Sequence, residues 1–210
     1  MRLLVFGARG TIGRRIVDEA LERGHDVTAV HRKPAAERDG LRVIVGDVRD
    51  PRPALLAAPG TDAVISAVGA GLTDYRVYID AARALVDALR ALRDQTPRLI
   101  VVGGAGSLQA SPGLRLLDMP EFPAQFREEA LAQAEALDLY RTVSDVRWTY
   151  VSPAAQIAPG ARTGRFRTGG DQLLIDDLGH SRITIEDYAA AILDELDDPP
   201  AVGRRRTAAY

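Results

Sequence analysis

Cysteine is absent from this chain, and lysine occurs once, at Lys33. The absence of cysteine excludes disulfides, thiolate nucleophiles and zinc–thiolate sites. Apart from the histidines, every other basic side chain is arginine, which we attribute to codon bias in a GC-rich genome. Any reaction that needs a catalytic lysine must therefore use Lys33.

An excess of either charge is also missing, as are long apolar runs. The 27 basic and 29 acidic side chains give a formal net charge of -2, so the composition favours neither a nucleic acid nor a membrane surface as a partner. No apolar run approaches the ~20 residues of a membrane-spanning helix. The N-terminal run reaches Gly7 too early for the apolar region of a signal peptide. We therefore expect a soluble, cytoplasmic protein.

The order of short apolar strands and amphipathic helices predicts an α/β fold. Strands are expected at 2–6, 26–31, 42–45, 63–68, 99–102 and 148–151. Helices are expected between Ile12 and Gly24, at about 75–93 and 122–141, and after a capping box at 184–187. This alternation is typical of right-handed βαβ units. We predict a Rossmann-type, doubly wound parallel sheet with a small C-terminal substrate-side extension.

The length predicts a single domain that spans residues 1–210. Two stretches inside it, 105–123 and 153–183, lack a regular apolar period. We expect them to form substrate-side loops, with one hairpin in the second, at the carboxyl edge of the sheet. The run 204–210 is expected to add an edge strand, with the basic side chains of 204–206 in solvent.

A glycine-rich loop joins the first strand to the first helix. Gly7, Gly10 and Gly13 follow the pattern G-x-x-G-x-x-G. The first glycine permits a tight turn, the second lets the backbone approach a pyrophosphate, and the third lets helix and strand pack closely. The N–H groups of the helix N-terminus would then face the phosphates. The alternative is a purely structural turn.

The end of the second strand decides between NAD and NADP. NAD-preferring folds place a carboxylate there for the ribose 2′-hydroxyl, whereas this chain has His31, Arg32 and Lys33, with no carboxylate before Glu37. Arg32 can pair with a 2′-phosphate, and Arg9 in the glycine loop can reach the same group. This predicts NADP(H), unless both arginines are ordinary solvated side chains.

Two further segments lie in register behind the glycine loop. Asp47, in the turn Gly46-Asp47-Val48, could accept a hydrogen bond from the adenine amino group or simply form the turn. The stretch Ser66-Ala67-Val68-Gly69 would pass the adenosine ribose, where small residues permit close approach.

Six segments of the sequence together resemble the atypical short-chain dehydrogenase/reductases. They are VFGARGTIGRRIVDEALERGHDVTAVHR, the GDV turn, DAVISAVG, VVGGAGSL, WTYVSPAAQIAPGARTGRFRTGG and SRITIEDYAAAILDEL. More narrowly, they resemble the NAD(P)H-flavin reductase branch, which is related to biliverdin-IXβ/flavin reductase and to NmrA-like proteins. The resemblance spans essentially the whole chain.

The resemblance implies a bound NADP(H) with its nicotinamide near 103–107 and 152–154. Ser107 occupies the place most like the active-site serine of the superfamily and is the candidate catalytic residue. Together with the arguments above, the candidate cofactor-binding residues are Gly7, Arg9, Gly10, Thr11, Ile12, Gly13, Arg32, Asp47, Val48, Ser66, Ala67, Val68, Gly69, Gly103, Ser152, Pro153 and Ala154.

The sequence departs from the superfamily at its Tyr-x-x-x-Lys pair. Tyr140 lies in the corresponding helix region, but Ser144 stands four residues on. We therefore do not expect alcohol–ketone chemistry of that kind. Hydride transfer from NADPH to a flavin needs alignment of two rings and no dedicated acid–base pair.

Two functions remain open on the sequence, and a third, an epimerase or dehydratase of the extended branch, ranks last because it usually needs the same lysine and a larger C-terminal domain. The first is an NADPH-dependent oxidoreductase that reduces free flavin or a related planar or quinonoid small molecule. The second is a non-catalytic NADP(H)-binding redox sensor of the NmrA-like kind. No metal site is expected, because His25, His31 and His180 lack a metal-binding spacing and 176–180 is typical of an exposed turn.

Overall fold

The computed structural model describes residues 1–37, 39–71, 73–92, 96–197 and 203–210. The strands are β1 (Arg2–Phe6), β2 (Asp26–His31), β3 (Leu41–Val45), β4 (Ala63–Ser66), β5 (Arg98–Val102), β6 (Gln109–Ser111), β7 (Leu114–Arg115), β8 (Trp148–Ser152), β9 (Gln156–Ala158), β10 (Arg167–Gly169), β11 (Arg182–Thr184) and β12 (Arg204–Ala209). The helices are α1 (Thr11–Glu22), α2 (Arg52–Ala57), α3 (Val77–Arg90), α4 (Arg127–Arg141) and α5 (Ile185–Asp194).

Eight strands form the central sheet, in the order β10-β12-β8-β5-β4-β1-β2-β3. Every neighbouring pair is parallel except β10 and β12. The chain moves outward from β1 to β3 in one direction and from β4 onward in the other. The order therefore reverses between β1 and β4, which is where doubly wound sheets bind ligands. The predicted fold class is confirmed.

Helices cover both faces of the sheet, and the central strands are therefore buried on both sides. Leu3 and Val5 pack with α1 and α5, whereas Leu4 and Phe6 pack with α2, α3 and α4. A strand buried on both faces has apolar residues at every position, which explains the unbroken runs in the sequence. None of the helices in the described residues combines the length and the apolar composition that a membrane span requires.

The first helix ends where the sequence indicates. Gly24 has φ of +75°. The N–H of Gly24 donates to Leu21 O and that of His25 donates to Ala20 O. This is the Schellman arrangement, which satisfies the last carbonyls of a helix and favours glycine.

Prolines account for two differences from the predicted elements. The short helix α2 was not predicted, because Pro51 and Pro53 precede and open it and proline usually interrupts a helix after its first turn. Helix α4 begins at Arg127 rather than near residue 122, since a 3-10 turn at Ala124–Phe126 follows Pro123. The predicted end of α3 at residue 93 lies outside the described residues.

Two expectations for the C-terminal third are wrong. Strand β12 is not at the edge, because β10 pairs outside it. The expected hairpin within 153–183 is absent from the described residues, where β9 instead pairs with β11, in parallel. Arg167 of β10 donates to Tyr210 O at 2.6 Å, which joins the edge strand to the final residue of the chain.

A buried carboxylate fastens this C-terminal region. Asp187, fully buried at the start of α5, accepts hydrogen bonds from the N–H groups of Thr163 and Gly164, from Thr163 Oγ1 and from Tyr210 Oη, at 2.6 to 2.8 Å. Its N–H donates to Thr184 Oγ1, as a capping box predicts. Burial opposes ionisation, but these donors lower the pKa of Asp187 below its usual value.

We expect Asp187→Asn to destabilise the protein by about 2–4 kcal/mol at pH 7, because hydrogen bonds to a buried charge are lost. The pKa of Asp187 is lowered by folding, so this stability is present above the unfolded pKa of about 3.9 and is lost as pH falls through the folded value. Urea unfolding at pH 7 and near pH 3 measures the difference in free energy of unfolding between wild type and variant. A difference that stays constant between these two pH values would contradict the role of the charge.

The matched control is Asp194→Asn on the same helix. Asp194 is half-exposed and pairs with Arg23 at 2.8 Å. An exposed pair contributes at most about 1 kcal/mol to the free energy of unfolding, so Asp194→Asn should lower it by no more than that.

Candidate functional site

A cleft of about 970 Å³ lies over the carboxyl ends of β1, β2, β3 and β4, at the point where the strand order reverses. Its lining includes these predicted residues: Gly7, Arg9, Gly10, Thr11, Arg32, Asp47, Val48, Ala67, Val68 and Gly69. It also includes residues the sequence did not single out for binding, namely Phe6, Ala8, Val30, His31, Lys33, Gly46, Arg49, Ala70, Gly71, Asp74 and Val77. The fold therefore brings the glycine loop and both candidate arginines to one cleft.

Glycine is needed at the three positions of the loop for different physical reasons. Gly7 has φ of +75°, and a Cβ there would lie 2.2 Å from Ala67 O. A Cβ on Gly13 would lie 2.1 Å from Gly7 O. At Gly10 the nearest atom to an added Cβ is Gly7 O at 3.3 Å. Gly7 and Gly13 are thus required by packing, whereas a Cβ on Gly10 would make one tight contact and meet no second atom within 4 Å.

The N-terminus of α1 opens onto this cleft. Gly10 is the N-cap, and its carbonyl accepts the N–H of Arg14 at 2.9 Å. The N–H groups of a first helical turn have no acceptor within the helix, and α1 has no acidic residue in that turn. Such an N-terminus attracts phosphate through its N–H groups and its dipole.

Cationic side chains line the cleft, one in the glycine loop and two directly after β2. Arg9, Arg32 and Lys33 all line it. Burial and then the charge of Arg9 lower the pKa of the neighbouring His31. Glu37 bonds to Val43 N at 3.0 Å and does not belong to the lining of this cleft. The local charge at the end of β2 therefore suits an additional phosphate rather than a bare ribose.

A salt bridge at the rim of the cleft was missed by sequence reasoning. Arg49 Nη2 contacts both carboxylate oxygens of Asp74, at 2.8 and 2.9 Å, and Arg49 Nε lies 3.2 Å from Asp80 Oδ2. Asp47 Oδ1 accepts the N–H of Arg49 at 2.9 Å, which is the turn-forming role left open above. Asp47 also lines the cleft, so its proposed contact with adenine stays a prediction.

The other predicted residues lie outside the lining of this cleft. They are Ile12, Gly13, Ser66, Gly103, Ser107, Ser152, Pro153 and Ala154. Ile12 packs against the core beneath α1, and Ser66 is buried at the end of β4. Pro153 and Ala154 are buried directly after β8. Their part in binding stays a prediction.

Ser107 and Ser152 form a second polar cluster, on the same edge of the sheet, after β5 and at the end of β8. Ser152 Oγ donates to Gly104 O at 2.8 Å. Both serine hydroxyls accept from Arg205, which reaches Ser152 Oγ at 2.9 Å and Ser107 Oγ at 3.1 Å. The expectation that the whole run 204–206 is solvated is therefore wrong for Arg205, whose side chain is 2% exposed.

The loop between β5 and Ser107 packs closely against its neighbours at three glycines. A Cβ on Gly103 would lie 1.9 Å from the ring of Tyr150, and one on Gly104 would lie 1.7 Å from Gln133 Oε1. Gly106 packs in the same way against Ala130 of α4. These glycines fix where the loop runs, and so they fix where Ser107 lies.

Tyr140, the tyrosine that the sequence places in the helix region of the superfamily's catalytic pair, belongs to the core. Its ring packs between Trp148 and Tyr150, with centroids 5.7 and 6.3 Å away, and burial raises its pKa. The segment 176–180 is an exposed turn in which Asp176 Oδ1 accepts from Leu178 N and His180 N. Over the described residues, no group of three or more potential metal ligands occurs.

The comparisons with known proteins agree with this geometry. A family model described as NAD(P)H-binding matches residues 7–199. The Bacillus subtilis protein YwnB, which is uncharacterized, is 36% identical over 214 residues, covering 99% of this chain and 97% of that protein. A 3-diazoavenalumate denitrifying reductase of Streptomyces is 28% identical over 253 residues, covering 96% of this chain and 77% of that protein.

Among solved structures, one from Streptococcus pneumoniae is described as a candidate NADH-flavin reductase. It is 36% identical, has a TM-score of 0.90, and the match covers 100% of this chain and 99% of that chain. The similarity in sequence and fold therefore extends over the cleft and over the serine–arginine cluster.

Gly10 and Gly13 give a direct test of the loop. We expect Gly10→Ala to keep the melting temperature close to wild type and to weaken NADP(H) binding roughly tenfold or more, because a methyl group would hold the pyrophosphate away from α1. Gly13→Ala should instead destabilise the fold by about 1–3 kcal/mol through overpacking. Calorimetric titration and thermal unfolding separate the two effects. Equal loss of binding and of stability in both variants would refute the distinction.

Proposed function

Because this chain belongs to the family of NAD(P)H-binding proteins, we propose that it is an NADPH-dependent oxidoreductase that transfers hydride to a free flavin or a related planar acceptor. The observation that carries the proposal is the cleft at the strand-order reversal, lined by the glycine loop with its Arg9 and by Arg32, which directly follows β2. That arrangement suits a dinucleotide with a phosphate on its adenosine ribose.

The assignment of roles follows the edge of the sheet. The N–H groups of α1 face the pyrophosphate, and Arg9 and Arg32 take the 2′-phosphate. The stretch Ala67-Val68-Gly69 passes the ribose at the end of β4. The nicotinamide then lies toward the ends of β5 and β8, near Ser107 and 152–154, because the next two strands along continue the same edge.

NADPH, when bound, supplies the hydride, so the chain must chiefly orient two rings and exclude side reactions. The family's tyrosine–lysine pair has no counterpart, since Tyr140 is buried and Lys33 is on the opposite side of the cleft from β5. An acceptor that takes its proton from water fits this site. The names of the Streptococcus and Streptomyces relatives, both reductases, support a reduction.

The second candidate is a redox sensor that binds NADP(H) without turnover. The burial of Tyr140 favours it as much as it favours flavin reduction, because either protein can lack a proton donor at that position. Only turnover separates the two.

NADPH consumption by the purified protein with FMN, FAD, riboflavin or a quinone tests the proposal, with NADH run in parallel. We expect turnover above the rate without protein, and faster with NADPH. Gly10→Ala serves as the control, because it should lose turnover while remaining folded. Confirmed NADPH binding without turnover on any acceptor would overturn the reductase and favour the sensor.

Arg32→Ala tests the choice of dinucleotide. We expect it to weaken NADPH binding by about 10- to 100-fold, the worth of a charge-assisted hydrogen bond, and to leave NADH binding nearly unchanged. Arg83→Ala, an exposed arginine of α3 outside the cleft, is the matched control and should change neither. The Streptococcus relative is named for NADH, which makes this choice worth testing. Equal losses of binding for both dinucleotides would contradict the 2′-phosphate role of Arg32, because NADH lacks that phosphate.

A further inference from the structure

Arg205 is a buried cation whose bonds go mainly to uncharged groups. Its side chain is 2% exposed. Nη1 donates to Ser107 O at 2.9 Å, Nη2 donates to the hydroxyls of Ser107 and Ser152, and Nε donates to Ser152 Oγ at 3.1 Å. Among the described residues, its closest carboxylate is Asp171, 3.5 Å away and half-exposed, which also accepts from Arg141 at 2.7 Å.

The neighbouring arginines of β12 show the ordinary arrangement. Arg204 and Arg206 point to the other face of the sheet and pair with Glu195, at 2.7 and 3.1 Å. Burying a guanidinium carries a large desolvation penalty, which a well-placed carboxylate usually offsets. Arg205 lacks such a close partner and directs its donors to Ser107, in the loop after β5, and to Ser152, at the end of β8. This placement indicates a role at that edge of the sheet.

The hydrogen bonds leave one hydroxyl proton available. Ser152 Oγ accepts from Arg205 and donates to Gly104 O, so its proton is used. Ser107 Oγ accepts from Arg205 at 3.1 Å, and the described residues supply no hydrogen-bond acceptor for its proton. Arg205 therefore fixes the oxygen of Ser107 and leaves its O–H free to donate elsewhere.

Building on the proposed function, we propose that Arg205 is a positioning residue that aims the Ser107 hydroxyl at the hydride acceptor. The acceptor is then a planar conjugated compound with an oxygen or nitrogen in conjugation with the atom that receives the hydride. The dihydronicotinamide is oxidised, the acceptor gains the hydride, and the displaced π electron pair moves to that heteroatom. Ser107 donates a hydrogen bond to it, and water supplies the proton that completes the reduction.

The environment of Arg205 strengthens this hydrogen bond. A hydroxyl that accepts from a cation is a better donor, because hydrogen bonds in a chain polarise one another. A fixed positive charge in a site shielded from water also stabilises negative charge as it develops. Burial lowers the pKa of Arg205, but arginine remains protonated in proteins.

Four variants test the proposal: Ser107→Ala, Arg205→Met, Arg205→Lys and the double variant Ser107→Ala/Arg205→Met. We expect the first two each to lower kcat about 100-fold while the KM for NADPH stays within roughly threefold. The double variant should lose no more than either single change, because both remove the same interaction. Arg205→Lys should recover part of kcat, since it keeps a cation but loses the planar fork.

Arg206→Met is the matched control. It makes the same chemical change one residue along β12, on the face away from the serines. We expect its kcat to stay within about twofold of wild type. Should Arg205→Met fail to fold, Arg205→Lys and Ser107→Ala supply the same comparison.

A second readout does not depend on turnover. Amide hydrogen exchange of residues 104–109 in the ligand-free protein should become faster in Arg205→Met than in wild type, and should not change in Arg206→Met. Unchanged exchange would show that Arg205 does not fix this loop, which overturns the proposal.

The outcomes separate this proposal from the function on which it rests. Wild-type turnover with an unaffected kcat in folded Arg205 variants overturns the role of Arg205 alone. The role is also overturned if the fold losses in kcat of Ser107→Ala and Arg205→Met multiply in the double variant, because the two residues would then act separately. Absence of wild-type turnover on every acceptor, with NADPH bound, overturns the reductase and this proposal with it.

Discussion

The close approach of three backbone segments is the constraint on which the rest of the molecule depends. Gly7 lies against the carbonyl of Ala67, and Gly13 lies against the carbonyl of Gly7, with room for no Cβ at either contact. These contacts bring the start of α1 down onto β1 and β4. They create the cleft, direct the N–H groups of α1 into it, and set the distance between the loop and the stretch 67–69.

The two ends of the sheet edge carry different kinds of polar group. Beyond β2 the side chains are cationic and reach solvent, as expected for holding a phosphate group that arrives from water. Toward β8 the polar groups are buried, and the guanidinium of Arg205 is enclosed by serine hydroxyls and a carbonyl. A charge in solvent is screened and contributes mainly to recognition, whereas a charge in a buried site acts strongly on its neighbours. One edge of the sheet thus carries exposed cations at one end and a buried cation at the other, and the proposed function uses the first for binding and the second for polarisation.

The β1–α1–β2 unit could be predicted almost to the residue, because its signals are local. Gly7, Gly10, Gly13 and Gly24 mark turns and caps within a few residues of the elements they bound. Helix α2 could not be predicted, since its prolines carry the opposite local signal. The fold class, too, could be predicted from the alternation of elements, but the place of β12 inside the sheet depends on pairing with β8, which no local pattern encodes.

The residues of the candidate site likewise fall into those that could be predicted from the sequence and those that could not. The cleft residues of the glycine loop and of β2 could be predicted, because each lies at the end of a strand that the sequence already defines. The partners of Arg205 could not, since they lie 98 and 53 residues earlier in the chain. In sequence the run 204–206 is three equivalent arginines. Only the alternation of β12 sends the middle one to the serines and the outer two to Glu195.

The inner position of β12 has a consequence for how the protein is made. Parallel pairing of β12 with β8 covers the outer edge of β8, so that edge stays open until residues 204–209 have been synthesised. The lining of the cleft comes entirely from the first 77 residues. The serine cluster receives its cation only when the last strand docks. The growing chain therefore contains every residue of the cleft lining long before the opposite end of the sheet is complete.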